Sequence, residues 1–122
     1  FNAFVANGPL QYAFADYMQN KDAYLELSAF YQKKRDFFLA GLKGSRFKPL
    51  SSRGTFFQNL AYDAISDEKD TDLAVRLTKE KGIASIPVSV FYRQPPAHRV
   101  LRFCFAKSEA TLAKGAEILS RL

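Results

Sequence analysis

The apolar positions of this chain follow two periodicities, and the switches between them lay out its elements. From Leu10 to Gln19 (LQYAFADYMQ), and again from about Asp22 to Leu42, apolar residues recur every three or four positions. In the second stretch Leu27, Phe30, Tyr31, Phe38 and Leu42 form one stripe, while Lys33, Lys34, Arg35 and Asp36 fall largely elsewhere. That spacing predicts two helices. Asn7, Gly8 and Pro9 open the first, with Asn7 or Gly8 as cap and Pro9 at the first helical position; Gly41 and Gly44 close the second.

Beyond residue 44 the pattern changes. After Pro49 and Gly54, the aromatic, β-prone run from Thr55 to Tyr62 predicts a strand. SDEKDTD puts carboxylates at the start of a helix over Asp72–Lys81, where the helix dipole favours them, and Gly82 stops it. IASIPVSVFY is β-rich but interrupted by Pro87, which predicts a short edge strand and an irregular turn. RQPPAH reads as a loop, VLRFCFA as a strand, and Ser108 as the cap of a final helix, SEATLAKGAEILSRL. The order α, α, β, α, β, β, α does not alternate regularly. It predicts an α+β fold: a small antiparallel or mixed sheet of about three strands with helices on one face, preceded by two N-terminal helices. No repeat, low-complexity tract or internal boundary divides the 122 residues, so a single domain over 1–122 is expected.

The last strand raises the chemical question. Alternation puts Leu101, Phe103 and Phe105 on one face and Val100, Arg102, Cys104 and Ala106 on the other. A permanently charged guanidinium therefore sits inside an apolar ribbon. Either it is an edge charge that stops the sheet from pairing with a neighbour, or it receives an anion, since its paired donors match both oxygens of a carboxylate as lysine cannot. Arg99, at the frayed start of the strand, reads as structural. His98 reads as a surface loop residue, Cys104 as buried and inert, and Lys33–Arg35 as a solvated helix face.

Composition narrows the classes. Hydrophobic and charged fractions of 48% and 25% are those of a globular protein. No apolar run approaches the roughly 20 residues of a membrane span, and no signal peptide is recognised. One Cys and one His exclude a zinc site of the usual kinds; the lone Cys suits a cytoplasmic protein. The net charge of +6 admits nucleic acid or anionic ligands without choosing between them. The serines of LSSRGT match no phosphate loop. A free-standing module that binds RNA or an acidic partner is the alternative from another class; it rests on the charge and on the aromatic strand RFCFA. Against it, no glycine precedes the first aromatic, and two helices come before any strand.

Four segments in order, NGPLQYAFADYM, SSRGTFFQNLAYDAIS, KGIASIPVSVFY and VLRFCFAKSEATLAKGAEIL, resemble the C-terminal small domain of fold type I pyridoxal-phosphate-dependent aminotransferases, in the methionine, kynurenine and glutamine–phenylpyruvate branch. The resemblance covers essentially the whole chain. It implies that Arg102 clamps the α-carboxylate of the substrate, that Phe91 and Tyr92 lie near the substrate side chain, and that Phe4 and Val5 reach toward a neighbouring subunit's pocket. For these four the alternative is ordinary packing. It also implies amino-acid and 2-oxo-acid substrates, a homodimeric parent, no role for nucleic acid or membrane, and a missing N-terminal large domain bordered by residues 1–20. The family's cofactor-bearing lysine, its aspartate and most of its phosphate ligands lie upstream, and nothing here matches them. Pyridoxal 5'-phosphate is thus expected in the parent but not on this fragment, which should be inactive alone; Lys107, at a strand-to-helix junction, is no substitute. A carbon–sulfur lyase or acyl-transferring synthase of the same fold type would use an equivalent arginine.

Overall fold

A computed structural model of the chain describes residues 7–94 and 99–122. Phe4, Val5 and His98 lie outside the described residues. The chain divides into two compact units, Phe1–Phe30 and Tyr31–Leu122.

The first unit holds α1 (Gly8–Tyr17) and α2 (Asp22–Leu25), and α3 (Leu27–Gly41) starts in it. Asn7 caps α1, its side-chain oxygen accepting from the Leu10 N–H at 3.4 Å. No residue of α1 is buried: Leu10, Tyr12 and Phe14 are 67%, 79% and 64% exposed, so the apolar stripe of this helix has no core of its own. The single helix predicted from Asp22 to Leu42 is instead interrupted at Glu26. Neither glycine nor proline stands there, and nothing in the local sequence accounts for the break.

The second unit is built on four antiparallel strands, β1 (Lys48–Pro49), β2 (Phe57–Ala61), β3 (Ile86–Pro87) and β4 (Val100–Cys104), in the order β1-β2-β4-β3. The sheet is the α+β sheet expected, with one strand more than predicted. The extra strand, β1, is two residues long and contains a proline, so it carries no alternation to read. At the sheet edge the missing N–H of Pro49 costs nothing, and Leu50 donates to the Asn59 carbonyl at 3.0 Å.

Alternation sets the faces. Gln58 and Leu60 of β2 with Leu101 and Phe103 of β4 are buried. They share one core with Phe38 of α3, with Leu73, Ala74 and Leu77 of α4 (Asp70–Arg76) and its π-helical continuation (Leu77–Lys81), and with Leu112, Ala116 and Leu119 of α5 (Glu109–Ser120). A one-residue slip would turn every one of these strand side chains out of that core, and this fixes the register. Buried Gln58 stitches the edge, its amide donating to the Leu50 carbonyl at 2.7 Å. The helix predicted over Asp72–Lys81 begins two residues earlier, and its last turn widens where Thr78 directs its hydroxyl to the Ala74 carbonyl at 2.8 Å. Gly82, at φ 68°, ends it in the left-handed conformation. Ser108 caps α5 as expected, accepting from the Thr111 N–H at 3.3 Å.

Candidate functional site

The opposite face of the sheet carries the polar chemistry. Its half-buried residues are Phe57, Asn59 and Ala61 of β2 and Arg102 and Cys104 of β4. Arg102 stands opposite Asn59 on one side and Ile86 of β3 on the other. The edge-charge reading of Arg102 is therefore wrong: β4 is an interior strand, bonded to neighbours on both sides.

Two aromatic rings hold the guanidinium. Its Cζ lies over the Phe57 ring at 4.5 Å and over the Phe91 ring at 4.6 Å. Such contacts contribute about 0.5–2 kcal/mol each, more as water is excluded, and they restrain the plane of the fork without consuming its N–H donors. Nε is buried without a hydrogen-bond partner, and among the described residues Arg102 forms no ion pair. Arg102 also borders an open groove of about 780 Å³ between the sheet and α5, lined by Ile86, Phe103, Leu112, Lys107 and Lys114, which neither Phe57 nor Phe91 enters. A cation with no counterion, held by two rings, can take a carboxylate.

Phe91 itself is 60% exposed and belongs to a 3₁₀ turn, Ser89–Phe91, that the sequence predicted only as irregular. Asp70, at the start of α4, secures this turn. Its buried carboxylate accepts from the Ser89 N–H at 2.7 Å and from the Ser89 hydroxyl at 2.6 Å. Behind it, the fully buried Tyr62 donates its hydroxyl to the Glu68 carbonyl at 2.8 Å. Burial, followed by the nearby Asp70 charge, pushes that phenol up to about 12. Glu68 is held below the ordinary carboxylate range, first by its hydrogen bonds from Arg76 and then by Ser66. Tyr92 follows the turn, half exposed, its N–H bonded to the Ser89 carbonyl at 3.1 Å.

The other basic residues are tied to structure. Arg99 pairs with Asp67 at 2.7 Å. The run Lys33–Arg35 is more than a solvated face, since Lys34 donates to the Lys107 carbonyl at 2.7 Å and Arg35 to the Ser52 carbonyl at 3.0 Å. Cys104 is half-buried. Phe103 and Phe105, which the RNA-binding alternative needs at the surface for stacking, are 5% and 1% exposed and point into the core, so that alternative loses its aromatic basis. Among the described residues no group of acidic, His or Cys side chains could hold a metal, and no helix is long and apolar enough to cross a membrane.

Residues 2–119 match the aminotransferase class I and II family. The chain belongs to this family. It is 42% identical over 120 residues to the methionine aminotransferase of Escherichia coli K12, covering 98% of this chain and 31% of that protein. It is 33% identical over 110 residues to mouse kynurenine–oxoglutarate transaminase 1, covering 77% of this chain and 26% of that one. Among solved structures, that of YbdL from Escherichia coli, reported to have a methionine aminotransferase function, superimposes with a TM-score of 0.91 at 41% identity over 98% of this chain and 32% of that one. N-succinyldiaminopimelate aminotransferase from Mycobacterium tuberculosis gives 0.85 at 28% identity, also over 98% of this chain and 32% of its own. The chain thus spans about a third of the length of these relatives.

For an aminotransferase segment, the donor set is telling. The buried unpartnered groups are the side-chain oxygens of Gln58, Asn59 and Ser85 and the Arg102 Nε; no amine is among them. Of these groups only the Arg102 Nε and the Ser85 hydroxyl are donors that a carboxylate could use, since the Gln58 and Asn59 oxygens accept; the set does not fit the family's pyridoxal phosphate. Of the residues singled out from sequence, Arg102 and Phe91 come together, Tyr92 adjoins them along the chain, and Phe4 and Val5 fall outside the described residues. Sequence reasoning missed Phe57, Asn59 and Asp70. The first two were findable by alternation within TFFQNLAY, had the pairing of that strand with VLRFCFA been assumed. Asp70 was read only as a charge at a helix start; its partner nineteen residues away leaves no local signal.

Proposed function

We propose that this chain is the C-terminal domain of a longer pyridoxal-phosphate-dependent aminotransferase, and that Arg102 binds the α-carboxylate of the amino acid and of the 2-oxo acid that exchange the amino group. The observation that carries this reading is the guanidinium itself: uncompensated, half-buried, and over two aromatic rings. A fork fixed on an interior strand receives both carboxylate oxygens without first being ordered, and the rings exclude the water that would weaken the pair. With one end of the substrate fixed, its amino carbon is held in a constant place relative to the rest of the enzyme, which is the contribution of positioning to rate. Phe91 and Tyr92 border the space next to the carboxylate, where the substrate side chain would lie. The methionine and kynurenine enzymes among the relatives support a methionine or aromatic donor. The pyridoxal cofactor belongs to the remainder of the longer polypeptide, and the 122 residues alone are inactive. The exposed apolar stripe of α1 supports such a remainder, as a surface in want of cover, with residues 1–20 at its border. Phe4 and Val5 reaching a neighbouring subunit's pocket in a homodimer, and a cytoplasmic location, remain part of this proposal on the family resemblance.

The test is Arg102→Ala and Arg102→Lys in the full-length protein. Losing charge-assisted hydrogen bonds worth about 1.5–3 kcal/mol each should lower kcat/KM for amino acids by about tenfold to a hundredfold or more in the alanine variant. Lysine, which keeps the charge but not the fork, should recover only part of it. An alanine variant within about threefold of the parent would show that Arg102 is not the clamp, because one such bond alone is worth more.

A further inference from the structure

Asn59 faces Arg102 directly across the β2–β4 pair. Just beyond the two strands, Tyr62 donates to the Arg99 carbonyl at 3.0 Å and Phe105 to the Phe56 carbonyl at 2.9 Å. Counting inward by twos makes Leu60–Leu101 and Gln58–Phe103 the hydrogen-bonded pairs. Asn59–Arg102 is then a non-hydrogen-bonded pair, the type in which facing side chains stand closest. The Asn59 carbonyl agrees, turning away to accept from Leu50.

Both side chains carry a buried polar atom with no partner, and the two are complementary: the Asn59 Oδ1 accepts, and the Arg102 Nε–H donates. Orphaned buried groups are rare because each has lost its water for nothing. Two of them on facing residues of one sheet face, with matching polarity, indicate a bond that this arrangement leaves open. Rotation about the broad terminal torsion of the asparagine swings its oxygen without moving the backbone.

We propose that Asn59 is the positioning residue for Arg102, accepting the Nε–H and so presenting the Nη1–Nη2 edge, rather than the Nε side, to the substrate carboxylate. This inference rests on the reading of Arg102 as the carboxylate clamp. The ligand class follows from the geometry: an end-on fork takes a monocarboxylate with both oxygens free, and Asn59 adds no charge to oppose it.

The experiment uses the full-length protein with Asn59→Leu, Asn59→Asp and Arg102→Ala side by side, titrated with 3-phenylpropionate by calorimetry and assayed with an amino acid and with the corresponding amine that lacks the carboxylate. Asn59→Leu should weaken 3-phenylpropionate about fivefold to tenfold and raise KM for the amino acid in parallel, with kcat changed less than about twofold, since the lost interaction serves binding. Amine turnover should be unaffected, so discrimination between amino acid and amine falls. Asn59→Asp, isosteric and still an acceptor, guards against a leucine variant that fails to fold; its charge beside the guanidinium should weaken 3-phenylpropionate further still. Unchanged carboxylate binding in either Asn59 variant, or equal losses for amino acid and amine, overturns the positioning role. If Arg102→Ala itself leaves 3-phenylpropionate binding intact, the clamp reading has failed and this inference with it; if only the Asn59 variants are silent, the clamp stands and Asn59 is a bystander.

Discussion

Asp70 directs both oxygens of its carboxylate at one residue, Ser89, nineteen positions along the chain. Removing it as Asp70→Ala leaves an N–H and a hydroxyl without their acceptor inside a half-buried turn. With each charged hydrogen bond contributing about 1.5–3 kcal/mol, a loss near 3 kcal/mol is expected, read as a lower urea midpoint. Asp70→Asn, which keeps one acceptor oxygen, should lose less. Because the same turn carries Phe91 onto Arg102, the alanine variant of the full-length protein should also show a raised KM for its amino acid. Single residues also mark how far the sequence could be read. Arg102 stood out because a permanent charge on an alternating apolar strand is an anomaly visible one residue at a time. Phe57, Asn59 and Asp70 did not, because a ring in a β-prone run, an amide in a strand and a carboxylate at a helix start are each ordinary until the pairing is known.

Among the elements, α3 and α5 meet closely at Gly41. A Cβ built there would lie 2.7 Å from the Ala116 Cβ, closer than two such atoms approach. Gly41→Ala should therefore destabilise by about 1–3 kcal/mol as the helices separate, overriding the roughly 1 kcal/mol that alanine ordinarily gains over glycine in a helix. Gly115, inside α5, has nothing within 4 Å of such an atom. There Gly115→Ala should stabilise by up to about 1 kcal/mol, and the opposite signs of the two midpoint shifts in urea unfolding check the helix contact. At this scale the periodicities were mostly legible. The strand over 55–62, the break at Pro87, the strand from 100 and the cap at Ser108 all appear, because each rests on local alternation or capping. The two-residue β1 and the widened turn at Leu77–Lys81 do not, since too few residues, or only a hydroxyl's choice of acceptor, decide them, and the interruption at Glu26 has no local signal at all.

For the molecule, alkaline pH tests how the loop between β2 and α4 is anchored. The Tyr62 phenol titrates near 12 in the folded chain, above its ordinary value of 10, so the folded state keeps that proton longer than the unfolded one. The stabilisation is complete below about pH 10 and is lost as pH rises toward 12, a change of about 3 kcal/mol. Unfolding free energies at about pH 9 and pH 12 should converge between the native protein and Tyr62→Phe, which cannot titrate there; parallel curves would place the phenol in water instead. The two rings over the guanidinium, finally, are mounted on unlike supports. Phe57 hangs from a strand bonded on both flanks, whereas Phe91 hangs from three residues moored by one carboxylate. The site thus has a fixed jaw and an adjustable one. If Arg102 is the proposed clamp, drift in substrate preference would be cheapest on the Phe91 side, where the wall can be recut while Phe57 still backs the guanidinium.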